Sequence, residues 1–544
     1  MKTKISRRVF FATGLGLLVP VLGFPHHLIS KDQLKLNQEF INRTKRRIER
    51  EILQAMEKIY LHERETFDDN YNSGNKLIEK IVSYYDYQAS GISVLSALAS
   101  NGNARSLTLI KKIQQNISYY QQHFFRTQIE ERFWEVPLRR LLLHIALAYK
   151  KMEPILSKDE KLWYLKLVEE QVPLAIEHNK NFLPGETDLY LTTNNHTAIF
   201  MQGIYYCGKV FNHPEWVDLT LDFAERMYKS VHPDGYFEEN TNEAHEGGPS
   251  LIYTRLTIGS LYDVLDGQKN PREKFIKAGN FYRSFINYQY KMISVADERT
   301  NCFNSKGIDY GLAVHSLTDR GRYFIVDNLE SMDFSRLSIE AMAVIYHELD
   351  LMETGNCALP ENRTDGNARI TLPLGVVRKH GFTAGISALL ALNRVIRPAS
   401  HYAMDQQNML YLSHNKAGLI LTGYKSKNDP GFSTFKIGDD AYTDRTGELE
   451  MGNGWAEAQL YYKTFNAKIR WEIADSARLI LSSDSDQVIT SSLPVTNEKY
   501  IKTDTTFIVK YLNGFSPYSK NNLAGQVKSL IFKWQKRLVI EFTV

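Results

Sequence analysis

Two stretches hold the residue types and spacings best suited to chemistry. The first is TTNNHTAIFMQGIYYCGKVF, residues 192–211, in which Asn194, Asn195 and His196 stand directly before a run of apolar and aromatic residues. Asparagine at such a junction has two readings. Its side-chain oxygen caps a helix by accepting from an orphan backbone N–H, or its amide faces a cleft and holds a ligand. The second stretch is HPDGYFEENTNEAHEGGPSLIYTRLTIGSLYDVL, residues 232–265. It gathers Asp234, Glu238, Glu239, Glu243, His245 and Glu246 in a loop, with Tyr253 and Arg255 following on the next apolar run. A solvated acidic loop beside a core tyrosine accounts for that composition. So does a site, because binding groups concentrate on loops held by rigid elements. Two carboxylates across a cleft would suit glycoside hydrolysis. A tyrosine, with an unperturbed pKa near 10, acts as a base only beside a cation that favours the phenolate.

The elements that must position these residues are helices. QEFINRTKRRIEREILQAMEKIYLH has a charged amphipathic pattern, and PLRRLLLHIALAYKKM is apolar enough to pack on two sides. In PEWVDLTLDFAERMYKSV, Trp216, Leu219, Phe223 and Met227 fall on one helical face, and Pro214 suits an N-terminal turn. Further helices are expected over GGPSLIYTRLTIGSLYDVLDG and over residues 334–352. The pattern changes between about 355 and 370. Beyond it, AKIRWEIAD alternates Ala467, Ile469, Trp471 and Ile473 against charged residues, and RLVIEFTV does likewise. Many short strands with turn signals predict an antiparallel sandwich. The expected architecture is α then β: an (α/α) arrangement of helical hairpins over 31–360 and a β-sandwich over 361–544.

The whole chain sets limits on function. Its 544 residues exceed one ordinary core. A net charge of +4 does not suggest a nucleic-acid binder. The 31 Tyr, 27 Phe and 6 Trp supply large cores and rings that could stack on sugars. Residues 1–30 read as an export signal: MKTKISRRVFFATGLGLLVPVLGF has a basic start, a short apolar run and a twin-arginine form in SRRVFF. Cleavage near Gly23 to His27 or retention as an anchor both stay open, and nothing later is apolar and long enough to span a bilayer. Cys207, Cys302 and Cys357 are scattered without metal-site spacing and read as small buried residues. No cofactor or metal is expected, and a monomer is.

The order of the motifs resembles the uronic-acid polysaccharide lyases, which have an (α/α) toroid followed by an antiparallel β-sandwich. NNH opening an apolar helix resembles the heparinase II/III and alginate-lyase branches. The segment from Pro233 to Leu265 is similar to the hyaluronate and chondroitin lyase stretch in which a DG turn, a His and a Tyr follow in order. RFWEVPLRRLLL resembles the entry to a helix whose tryptophan lines the family's cleft, here Trp134. VADERTNCFNSKGIDYGLAV sits where an Arg-bearing segment is expected, and the stretch beginning VRKHGF resembles the start of the sandwich.

That resemblance implies an incomplete toroid and β-elimination from an acidic polysaccharide. Asn195 would hold the uronate carboxylate and disperse the charge of the developing enolate. Tyr253 would take the C5 proton, protonate the leaving oxygen, or both. Arg299 would be the cation that favours its phenolate, with Arg320 and Arg322 as rivals; Arg255, two residues along the same helix, points away from Tyr253. Three histidines compete for one role: His196 in the Asn-His pair, His245 eight residues before Tyr253 where the family branch has nine, and His380 reaching from the sandwich. Trp134, Asn194, Glu243, Arg255 and His380 complete the implied substrate-binding set. A glycoside hydrolase using Asp234, Glu238, Glu239 or Glu246, and a glycan binder without catalysis, are the competing readings.

Overall fold

The computed structural model describes residues 35–62, 89–129, 137–179, 194–239, 248–249, 251–265, 272–296, 310–388, 410–421, 435–437, 443–462, 464–511 and 528–544. The expected export segment lies outside these residues, as do Trp134, Glu243, His245, Glu246, Arg299 and Cys302. Among the described residues no helix is long and apolar enough to cross a membrane.

The first helix, α1 (Gln38–Glu57), begins where the Asn37 side chain accepts from the Phe40 N–H at 2.9 Å. Phe40, Ile41, Thr44, Ile48, Ile52 and Met56 form its buried stripe, and the charged residues between them face outward. There follow α2 (Ile92–Ser100), α3 (Ala104–Ile129), α4 (Pro137–Met152), α5 (Lys158–Asn179), α6 (Asn194–Phe211), α7 (Pro214–Ser230), α8 (Leu251–Leu265), α9 (Glu273–Ser284), α10 (Leu312–His315), α11 (Asp319–Ser331) and α12 (Ile339–Glu348). On α7, Trp216, Phe223 and Met227 are buried as the spacing predicts, but Leu219 is only half-buried and Thr220 takes the inward place. Its hydroxyl donates to the Trp216 carbonyl at 2.9 Å, which removes the cost of burying it. The helix expected over 334–352 is shorter. A 3₁₀ turn, Phe334–Arg336, comes first, and Ser338 then caps α12 by accepting from the Ala341 N–H.

Every second helix belongs to an inner circuit. α2 packs on α4, α4 on α6, α6 on α8, α8 on α10, α10 on α12, and α12 returns to α2. The intervening helices pack outside it, and α4, with neighbours on both flanks, is buried continuously from Leu141 to Ala146. The circuit is thin at α10, a single four-residue turn, so the toroid is incomplete. A short ribbon of β1 (Lys35–Leu36) with β4 (Gly355–Asn356) ties its two ends together, and β2 (Glu238–Glu239) pairs with β3 (Gly248–Pro249) just before α8.

Among the described residues the last α-helix ends at Glu348, and antiparallel sheets follow. One sheet contains β5 (Gly366–Arg369), β6 (Leu374–Lys379), β7 (Phe382–Ser387), β8 (Leu410–His414) and β9 (Gly418–Leu421) as successive neighbours. The other is built on β10 (Thr443–Gly452), β11 (Trp455–Tyr462), β12 (Asn466–Ile473) and β13 (Ala477–Ser483). The chain then returns to the first sheet with β14 (Ile489–Val495), β16 (Phe507–Tyr511) and β17 (Lys528–Trp534), and to the second with β15 (Ile501–Lys502) and β18 (Arg537–Phe542). On β12 the alternation holds: Ala467, Ile469, Trp471 and Ile473 are buried, with Ile469 opposite Ala458 and Leu481.

Toroid and sandwich are welded by polar contacts. Asn287 donates to the Tyr411 hydroxyl at 2.8 Å and accepts from the Gln289 and Lys291 N–H groups. Arg378, fully buried on β6, donates to the carbonyls of Ser284 and Ile286. Ile370, Leu374, Val376 and Tyr411 join the helical core rather than the sandwich core.

Candidate functional site

The inner helices enclose a small cavity of about 20 Å³ that is partly open to solvent. α4 contributes Arg140, Leu143 and His144; α6 contributes Ile199 and Gln202; α8 contributes Leu256 and Ser260. Tyr310, just before α10, and Val344 and Glu348 of α12 complete the wall. The residues from α4, α6 and α8 all fall within the first three turns of their helices, so three N-terminal ends gather at one side of the cavity.

Asn195 lies in the first turn of α6 and is 3% exposed. Ile199 and Gln202 follow it by four and seven residues, so it shares the cavity-facing side of the helix. Its Oδ1 is enclosed and has no hydrogen-bond partner among the described residues. It caps nothing there. Asn194 and His196 flank it in the same turn, and Tyr253 occupies the first turn of α8, three residues before Leu256.

The wall behind this face is a set of satisfied polar groups. Asp263 accepts from Gln202 Nε2 and the Tyr206 hydroxyl, each at 2.6 Å, and lies 2.7 Å from His347 Nε2. Ser260 donates to Gln202 Oε1 at 3.1 Å, which fixes the amide's orientation. Burial opposes charge on both members of the Asp263–His347 pair. Their mutual attraction wins, so the carboxyl is held below its usual range and the imidazole above its own. Glu348 accepts from the backbone N–H groups of Gly311 at 2.7 Å, Leu312, and Ala313 at 3.2 Å. Burial nevertheless pushes its pKa up to about 7 against the pull of those donors. Tyr310 donates to Glu340 and accepts from Arg140, and Arg140 in turn pairs with Glu340. The Arg140 and Arg255 guanidiniums stand 4.7 and 5.9 Å from the Tyr310 ring centre. His144 is fully buried, and desolvation first, with His347 and Arg140 adding to it, lowers its pKa to about 3.

The other residues singled out in the sequence sit elsewhere. Arg255 is 5% exposed and packs toward Tyr310. His380 is exposed in the β6–β7 hairpin, where it and Gly381 adopt φ of 51° and 85°. Two successive positive φ angles are what a two-residue type I′ turn requires. Arg320 and Arg322 lie at the junction with the sandwich. Arg322 donates to the Ser316 and Asn356 carbonyls, and Arg320 lies 3.6 Å from Glu361. Asp234 accepts from the Thr371 N–H at 2.8 Å, and Glu238 and Glu239 form β2. Cys207 is buried and Cys357 half-buried, both as free thiols. Among the described residues no group of three or more His, Cys, Asp or Glu side chains is placed to hold a metal ion.

Sequence reasoning missed Arg140, His144, Gln202, Asp263, Tyr310, His347 and Glu348. A signal was present: Arg140 and His144, and later His347 and Glu348, are polar interruptions of strongly apolar helices, one turn apart or adjacent.

By sequence, no protein-family model and no curated protein matches this chain. By structure, it is similar to a mutant of the Streptomyces coelicolor A3 chondroitin AC lyase, with a TM-score of 0.52 and 11% identity, covering 93% of this chain and 82% of that one. A mutant of the heparan sulfate lyase HepC from Pedobacter heparinus gives a TM-score of 0.51 at 11% identity, covering 84% and 76%. The chain therefore has the fold of the uronic-acid polysaccharide lyases, a helical toroid followed by an antiparallel β-sandwich.

Proposed function

We propose that this protein cleaves a uronic-acid-containing polysaccharide by β-elimination. The observation that carries the reading is Asn195: a buried side chain whose Oδ1 has no partner among the described residues, in the first turn of the inner helix whose Ile199 and Gln202 line the cavity. An unsatisfied buried amide costs on the order of 1–3 kcal/mol, so it persists only where something else uses it. A uronate carboxylate is suited to that place. With the amide turned so that Nδ2 faces it, Asn195 donates to the carboxylate and disperses the charge that builds up as the C5 proton leaves.

In the proposed step the Tyr253 phenolate takes the C5 proton. The C5–H electron pair becomes the C4–C5 double bond, the C4–O bond breaks, and the leaving oxygen takes a proton from the phenol, restoring the base. His196, His245 and Arg299 are proposed to assist at the carboxylate and the phenolate, with Trp134, Asn194, Glu243 and Arg255 binding the polymer. Export by the twin-arginine route, which would bring the enzyme to a polymer outside the cytoplasm, belongs to the same reading. Replacing Arg7 and Arg8 together with Lys should then leave the protein inside the cell.

The hydrolase alternative finds one carboxyl on the cavity wall, Glu348, raised to about 7, and no second one among the described lining residues. The deciding experiment is absorbance of the C4–C5 double bond near the ultraviolet edge, on a panel of uronate polysaccharides. A lyase raises it, whereas a hydrolase shortens the polymer without it and a binder does neither.

A further inference from the structure

We infer that Gln202 and Asp263 are positioning residues: they lock α6 and α8 into the register that sets Asn195 opposite Tyr253. The inference rests on the elimination reading above and names what holds its two central residues against each other.

The register follows from the contacts. On α6, Gln202 Oε1 accepts from Ser260 Oγ of α8 at 3.1 Å, and Gln202 Nε2 donates to Asp263 at 2.6 Å. One turn further along α6, the Tyr206 hydroxyl donates to the same carboxylate at 2.6 Å. Rising residue numbers meet rising residue numbers, so the two helices run parallel. From the Gln202–Ser260 pair, seven residues back along each helix lead to Asn195 and to Tyr253. Seven residues make two turns, a rise of about 10.5 Å with about 20° of drift. Both positions therefore stand at one level, on the continuation of the two facing stripes. Between them and the hydrogen-bonded pair, Ile199 and Leu256 both line the cavity.

The clamp is made of groups that are costly to bury. The Asp263 and His347 side chains are 1% and 8% exposed, their Oδ2 and Nε2 atoms lie 2.7 Å apart, and Gln202 and Ser260 are buried beside them. A buried ion pair adds little stability over apolar side chains of the same size, and its best-attested use is to fix register. Apolar contact is non-directional, so it resists sliding less sharply than three directed bonds between α6 and α8. His347 anchors the clamp to a third inner helix, α12, and meets the Tyr206 ring edge-on with centres 5.3 Å apart. Misplacing a reacting group by about 1 Å can cost roughly 10²-fold in rate. Loss of the clamp therefore reaches the rate through Asn195 and Tyr253.

The test uses Gln202→Met, which keeps the volume and removes the bonds to Ser260 and Asp263, beside the conservative Asp263→Asn. In Asp263→Asn the amide oxygen still accepts from Gln202 and His347 while the amide nitrogen donates to the Tyr206 hydroxyl. Both are assayed for unsaturated product at a temperature where circular dichroism finds them folded. Gln202→Met should lower kcat about 10- to 100-fold with KM nearly unchanged, and Asp263→Asn should stay near wild type. Adding Gln202→Met to Asn195→Ser should cost almost nothing more, because the clamp acts through a residue already lost. An unchanged kcat in folded Gln202→Met, or losses that multiply in the double variant, would mark Gln202 as merely structural. An equal loss in Asp263→Asn would assign the effect to charge rather than register. Each of these results overturns the inference. Should Gln202→Met not fold, Tyr206→Phe removes one bond of the same clamp and should show the same pattern with a smaller fall. Crystal structures of wild type and Gln202→Met read the register without turnover. The first turns of α6 and α8 should shift against each other by about 1 Å, and superposable helices overturn the inference. If wild type yields no unsaturated product yet the helices shift, elimination fails and the register clamp stands.

Discussion

At Asn195 a small change separates a structural from a functional role. Serine caps a helix about as well as asparagine, so Asn195→Ser would be silent if the residue only served the helix start. Because its Oδ1 is buried without a described partner, its replacement should leave the melting temperature nearly unchanged. Turnover should fall about 10²–10³-fold, the usual cost of losing one oxyanion-type donor. Near-normal activity in a stable variant would move the site elsewhere. His144 supports a prediction about pH. Its folded pKa of about 3 lies below its unfolded 6.5, so below pH 6.5 the unfolded chain binds a proton that the folded chain refuses. Its contribution is present above 6.5 and is lost as pH falls toward 3, amounting to about 2 kcal/mol at pH 5. Urea titrations at pH 7 and 5 should show the acid loss shrinking by that amount in His144→Gln. Glu348 acts with the opposite sign: its folded pKa of about 7 exceeds the unfolded 4.5, so the stability it allows is fully present below 4.5 and lost as pH rises through 7.

Between elements, α8 comes into backbone contact with the start of α10. A Cβ added to Gly259 would stand 2.8 Å from the Gly311 Cα, and one on Gly311, at φ 73°, would stand 2.7 Å from the Arg255 carbonyl. This contact sets Tyr310 over the cavity and delivers three N–H groups to Glu348. Gly259→Ala gains about 1 kcal/mol of helix propensity, but backbone atoms cannot yield as a side-chain end would. The clash should win, with a net loss of about 1–3 kcal/mol and reduced activity because Tyr310 and Glu348 shift. Equal or greater stability by denaturant titration would show that the two segments are not held in register by these glycines. The β6–β7 hairpin illustrates the reverse case, in which a residue singled out for chemistry, His380, has a turn conformation that accounts for its presence.

For the whole molecule, the consequence of the shared core is cooperativity. Four residues of the sandwich pack with the helical core, and Asn287 binds Tyr411, the Gln289 and Lys291 N–H groups and, through its carbonyl, Asn362. Calorimetry should therefore show one transition for toroid and sandwich together. Asn287→Ala removes three side-chain bonds, one of them buried, and should cost about 3 kcal/mol, lowering the midpoint of both parts at once. Two well-separated transitions in the wild type would contradict the welded interface.

The amino-acid sequence alone determined the change from helix to strand, because that depends on local period: 3.6 in α1 and α7, 2 in β12 and β18. It determined the motif order that resembles the lyase fold, and it singled out Asn195 as a residue with two readings. Only the tertiary structure decided that Asn195 is buried on an inner helix with nothing to cap. Only the structure showed that Arg140, His144, Gln202, Tyr310 and Glu348, spread over some two hundred residues of chain, surround one cavity. The reason is geometric. Period and capping act within a turn or two, whereas the circuit that brings α4, α6, α8 and α12 around a common axis is set by packing between segments far apart in sequence. A histidine in an apolar helix looks like core until its neighbours across the ring are known.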